Sequence, residues 1–188
     1  LPHLTSLEAL EIHADFEQLP DELGNLTNLK KIKLTMPFLK EVPASIGKLK
    51  SLEEFTFKGD YSFGGDDHNT YLKDFNWLAD LKFLKELKLQ NVGVEDLSEV
   101  VFPPTLNKID LYGLDQLTAL PKEMKNLPKL EKFKVASNRL ETLPSGFEAM
   151  PELQLFELIA PKITTISADF FFGFESRPNL ITKIGNRN

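Results

Sequence analysis

Few side chains in this sequence are equipped for covalent or metal chemistry. There is no cysteine, so thiolate nucleophiles, thiolate metal sites and disulfides are all excluded. Only three imidazoles, His3, His13 and His68, are available as general bases. They are scattered over a terminus, a strand-like segment and a turn-rich stretch, so no common site is indicated. No G-x-S-x-G elbow, G-x-x-x-x-G-K-[ST] cradle or G-x-G-x-x-G turn occurs. The densest set of potential ligands is Asp66, Asp67 and His68, but consecutive residues rarely converge on one ion, and no metal site is expected there. Carboxylates are plentiful, although a glycosidase pair also requires a deep cleft between them. Asn25-Leu26-Thr27 matches the glycosylation triplet, yet Leu26 falls on an apolar repeat position, which makes the match accidental.

What the elements are is clearer. Thirty-two of the 188 residues are leucine, and they recur at a long fixed period. The pattern L-x-x-L-x-L is filled by Leu7-Leu10-Ile12, Leu29-Ile32-Leu34, Leu52-Phe55-Phe57, Leu84-Leu87-Leu89, Leu106-Ile109-Leu111, Leu130-Phe133-Val135 and Leu153-Phe156-Leu158. Successive first positions lie 22, 23, 32, 22, 24 and 23 residues apart. A second signal follows most triplets: Leu19-Pro20, Val42-Pro43, Leu120-Pro121 and Leu143-Pro144, where proline presets the backbone for a short helix or turn. Each unit therefore reads strand, turn, short helical return. The fourth departs from this, carrying Asp96-Leu97-Ser98 in place of the Leu-Pro step.

These units resemble the leucine-rich repeat family, in particular the plant-intracellular and Ras-related class of about 23 residues, which many bacterial proteins also carry. Leu19-Pro20-Asp21-Glu22-Leu23-Gly24-Asn25-Leu26 and Val42-Pro43-Ala44-Ser45-Ile46-Gly47-Lys48-Leu49 carry the resemblance most fully. It implies an α/β solenoid of about seven repeats: a right-handed curved arc with a parallel sheet on its concave side and short helices or turns on its convex side. One domain spans residues 1–188, with repeats over about 4–166, a rim insertion over about 62–71 and a carboxyl-terminal cap over about 167–188. In the family an asparagine usually stands three residues after the last strand leucine and ladders adjacent turns. Only Asn138 fills that slot here, against Asp15, Pro37, Asp60, Val92, Leu114 and Pro161, so looser turns are expected.

A unit this small cannot bury its own apolar face, and stability must come from stacking. Strands pair at about 4.7–4.9 Å while packed helices need about 8–10 Å, so the stack bends with the sheet inside. Period-2 alternation then exposes two rows on the sheet. One runs Glu11, Lys33, Thr56, Lys88, Asp110, Lys134, Glu157; the other runs His13, Thr35, Lys58, Gln90, Tyr112, Ala136, Ile159. Alternating charges can simply solvate a sheet. As a surface, however, the concave sheet is where solenoids bind, and Lys58, Lys88, Asp110, Tyr112 and Lys134 form the expected partner-binding patch, with the tyrosine as anchor. Tyr61, Phe63, Asp66, Asp67 and His68 in the insertion are expected either to contribute from the rim or to form a neutral excursion, since lengthening a surface loop costs little entropy. Phe170, Phe171, Phe172 and Phe174 read as a plug over the end of the core.

Composition narrows the function. With 22 basic and 28 acidic side chains the formal charge is −6 and the pI about 5.2, which argues against a nucleic-acid partner. No apolar run approaches the ~18 residues of a spanning helix. The opening Leu1-Pro2-His3-Leu4 lacks a signal peptide's features and a starting methionine, as a trimmed chain would. Cytoplasmic, periplasmic and secreted locations are all compatible. The expectation is a non-enzymatic module that binds a protein partner and needs no cofactor. Two alternatives stand beside it: an architectural or recognition segment of a larger receptor or bacterial secreted effector, and an enzyme acting on carbohydrate or peptide, which would require two facing carboxylates with perturbed protonation.

Overall fold

The computed structural model describes residues 6–59, 72–122, 124–175, 177 and 179–185. Eight strands form one parallel sheet in chain order. They are β1 (Ala9–His13), β2 (Lys31–Thr35), β3 (Glu54–Lys58), β4 (Glu86–Gln90), β5 (Lys108–Tyr112), β6 (Lys132–Ala136), β7 (Leu155–Ile159) and β8 (Ile181–Gly185). Consecutive strands pair residue for residue at the repeat spacing, Leu87 opposite Phe55 and Ile109, Leu89 opposite Phe57 and Leu111. The second and fourth residues of each strand point inward, and from β2 to β7 those side chains are buried.

The returns between strands are single turns of 3₁₀ helix: Asp21–Asn25, Ala44–Lys48, Asn76–Asp80, Met124–Asn126 and Phe147–Ala149. Pro20 and Pro43 stand one residue before the first two, in extended conformation, and their carbonyls accept from Leu23 and Ile46 N–H, each at 3.0 Å. Adjacent returns touch so closely that a Cβ on Gly24 would lie 2.3 Å from the carbonyl oxygen of Ser45, which explains the glycine of that step. Where Asp96-Leu97-Ser98 replaces the Leu-Pro step no helical turn forms. Instead Asp96 Oδ1 accepts from Ser98 N–H at 2.6 Å, and Leu97 N–H bonds Ala119 O at 3.0 Å.

The turns after the strands are joined by the backbone rather than by asparagine side chains. Ala14, Met36, Gly59, Asn91, Leu114 and Ser137 each donate N–H to the last strand residue of the next coil, at 2.9–3.2 Å. Asn138 is exposed; the buried polar side chain there is Ser137, whose Oγ donates to Leu117 O at 2.7 Å and accepts from Arg139 N–H at 3.1 Å. The expected looseness is thus offset by main-chain bonds. In the fourth and fifth coils Asn91 (φ 52°) and Gly113 (φ 70°) adopt left-handed conformations, and the following Val92 and Leu114 are buried.

The far end differs from the simple plug expected of four phenylalanines. Helix α1 (Ala168–Glu175) lays Phe170 and Phe174 on the core, with Phe170 5.0 Å from Phe156 and 4.5 Å from Phe174 between ring centroids, while Phe171 and Phe172 are exposed at 48% and 64%. Arg177 covers this cluster, its guanidinium 5.9 Å from the Phe174 ring and donating to Glu148 O at 2.7 Å. The chain then adds β8 beyond the seven strands visible in the sequence pattern, and all five of its residues are exposed.

Candidate functional site

The first, third and fifth residues of each strand face away from the core and form the concave surface, although Ala136, expected on the exposed second row, is buried there. The third-position row includes the Lys88, Asp110 and Lys134 trio predicted from period 2, and the register places these three side by side. Tyr112 lies two residues along from Asp110 on the same face, opposite Gln90, and is 46% exposed. Lys58 stands opposite Gln90 on the other side. The five predicted sheet residues therefore occupy one continuous region of β3 to β6. The predicted rim residues Tyr61, Phe63, Asp66, Asp67 and His68 lie outside the described residues.

Alternation read from the third strand position onward missed a further row at the first position: Ala9, Lys31, Glu54, Glu86, Lys108, Lys132 and Leu155. Extending the same period one step toward the amino terminus would have found it. This row is electrostatically central. Glu86 pairs with Lys88 at 3.3 Å and with Lys108, and Lys31 pairs with Glu54 at 2.6 Å. Burial opposes the charge on Glu86, but the hydrogen bonds from Lys108 and Lys88 and the charges they bring outweigh it and hold the carboxyl below its ordinary value. At the flanks Lys33 reaches Glu11 at 2.5 Å, and Glu157 is shared by Lys134 at 3.3 Å and Lys183 at 4.0 Å.

Asp110 behaves differently. Burial pushes its carboxyl above the ordinary aspartate value, more than the Gln90 hydrogen bond and the nearby Lys134 and Lys88 charges pull it down. Its bonded partner is the Gln90 amide, so the perturbation arises from desolvation and not from a proton shared between two acids. A hollow of about 650 Å³ runs along this face, lined among others by Glu11, Lys33, Thr56, Lys88, Gln90 and Asp110. It overlaps the predicted patch at Lys88 and Asp110 and extends toward β1. Among the described residues no three His, Cys, Asp or Glu side chains are grouped to hold a metal, and no helix is long and apolar enough to cross a membrane.

No protein-family model matches the chain. A curated relative, a probable inactive serine/threonine-protein kinase of Dictyostelium discoideum named roco10, is 26% identical over 145 residues, covering 75% of this chain and 5% of the relative. Among solved structures, a leucine-rich repeat protein of Leptospira interrogans superposes with a TM-score of 0.61 at 22% identity, covering 92% of this chain and 47% of that one. Internalin C2 of Listeria monocytogenes gives 0.61 at 21% identity, with 86% and 64% covered. The fold is that of a leucine-rich repeat protein. The chain spans only a part of each of these proteins, 5%, 47% and 64% of their lengths.

Proposed function

We propose that the chain is a non-enzymatic protein-binding module that recognises its partner through the concave sheet. Leucine-rich repeat folds typically serve protein interaction, offering a wide, rigid, inward-curved surface. The observation that carries the reading is the juxtaposition on that surface of Tyr112, a large aromatic side chain 46% exposed, with Lys88, Asp110 and Lys134 in adjacent register. Tyrosine is among the side chains enriched at the energetic centres of interfaces. The rim segment with Tyr61, Phe63, Asp66, Asp67 and His68 is proposed as a secondary contact.

The test is capture of a partner from native lysate by the wild-type chain and by the double variant Tyr112→Ala, Lys134→Glu. Capture is expected to fall at least about tenfold, with little change in the melting curve, because both side chains are on the solvent face. Undiminished capture would contradict the concave assignment. A second reading, a recognition segment within a larger receptor or secreted bacterial protein, is supported by the greater length of the relatives, and it uses the same surface.

A further inference from the structure

The strands and the rest of the chain differ in the sign of their charge. The eight strands carry Lys31, Lys33, Lys58, Lys88, Lys108, Lys132, Lys134 and Lys183 against Glu11, Glu54, Glu86, Asp110 and Glu157. Eight cations against five carboxylates give the sheet +3. The remaining sequence has fourteen basic and twenty-three acidic side chains, or −9, which together restores the −6 of the whole. With nine more acidic than basic side chains, that remainder on average repels an acid.

 The sheet is the face that attracts one.

The surplus is built into the pairing. Glu86 is shared by Lys88 and Lys108, and Glu157 by Lys134 and Lys183, so each shared carboxylate leaves one positive charge uncompensated. Among the described residues neither Lys58 nor Lys132 forms an ion pair, and both are exposed. Lys108 and Lys132 stand directly opposite each other across β5 and β6, and of the two only Lys108 has a carboxylate, Glu86, which it shares with Lys88. A merely solvated surface would be served equally well by one carboxylate per lysine.

Resting on the concave-face reading above, we propose that the sheet takes an extended acidic segment of a partner protein, rich in Asp or Glu, whose carboxylates meet the surplus ammonium groups of β3 to β6. Eight strands at about 4.8 Å span roughly 34 Å, the length of about ten extended residues. The net negative charge of the rest of the chain does not compete for an acidic segment, so the surplus on the strands also favours its orientation.

The probe is a fluorescein-labelled decapeptide of glutamates with one central tyrosine, followed by fluorescence anisotropy. Binding is expected to weaken roughly tenfold between about 0.05 and about 0.5 M NaCl, and roughly tenfold in the variant Lys58→Glu, Lys132→Glu at low salt. Reversal of a lysine off the sheet, Lys82→Glu, is expected to change it less than about twofold. No binding of the acidic peptide, equal binding of a lysine decapeptide, or tighter binding of a ten-nucleotide single-stranded DNA would each overturn the proposal. A natural partner that is lost with Tyr112→Ala, Lys134→Glu but indifferent to Lys58→Glu, Lys132→Glu would refute the acidic segment and leave concave recognition standing. Indifference to both pairs would refute both.

Discussion

Gln90 Nε2 donates to Asp110 Oδ2 at 3.2 Å across the fourth and fifth strands, while the other oxygen of the same carboxylate is buried without a hydrogen-bond partner among the described residues. A half-satisfied acid in the middle of an exposed sheet is costly in the free chain. It also stands between Lys88 and Lys134, so its protonation state sets how positive the centre of the face is.

That cost predicts a stabilising substitution. Because burial raises the Asp110 carboxyl above the ordinary 3.8, the folded state holds this proton more tightly than the unfolded one, and stability falls as pH rises through that window. Asp110→Asn removes the titration, keeps an acceptor for Gln90, and should raise the melting temperature at pH 7 by about 1–2 °C. The gain should shrink below pH ~4, and thermal melts at the two pH values check it.

Glu86 predicts the opposite sign. Its carboxyl is held below the ordinary 4.5, so its contribution is present above that value and is lost as pH falls through the lowered one. Glu86→Gln should cost no more than about 1 kcal/mol at neutral pH, since the pairs with Lys88 and Lys108 are partly exposed, and the penalty should vanish in acid. Urea unfolding at neutral and acidic pH measures the difference.

Leu87→Asp should unfold the array. Leu87 is fully buried between Phe55 and Ile109, and an aspartate there is a buried unpaired charge, worth upwards of about 4 kcal/mol. Circular dichroism of the variant checks it; a native spectrum and normal melting would contradict the strand register.

Phe156→Ala should open the far end of the core. Its ring meets Phe133, Phe147 and Phe170 at 5.7, 5.0 and 5.0 Å, so truncation should cost about 3–5 kcal/mol in urea unfolding.

Strands β1 to β7 were legible because apolar residues at the second and fourth strand positions recur with each coil. Strand β8 was not, because its slots hold Asn179, Thr182 and Ile184, which preserve one apolar residue of three. All five residues of β8 are exposed, so the burial that writes the pattern into β2 to β7 is absent from it. On the candidate site, period 2 placed Lys58, Lys88, Asp110, Tyr112 and Lys134 on one face. It did not show which acid each lysine takes. Lys88 has Asp110 as its lateral neighbour yet bonds Glu86 on its own strand, a choice made by side-chain rotamers after the register is fixed. The raised Asp110 carboxyl was equally hidden, since it depends on how far neighbouring side chains exclude water. In the post-strand turns the family's asparagine rule pointed to Asn138, whereas the buried bonding role falls to Ser137 one residue earlier.

Lysine footprinting of the complex tests concave recognition most directly. The chain, free and bound to its captured partner, is acetylated briefly and each lysine's modification is read by mass spectrometry. The account predicts that Lys58, Lys88 and Lys134 become protected, by about fivefold or more, while Lys82 and Lys129 away from the sheet react as before. Protection of Lys82 and Lys129 with unchanged reactivity at Lys58, Lys88 and Lys134 would contradict it.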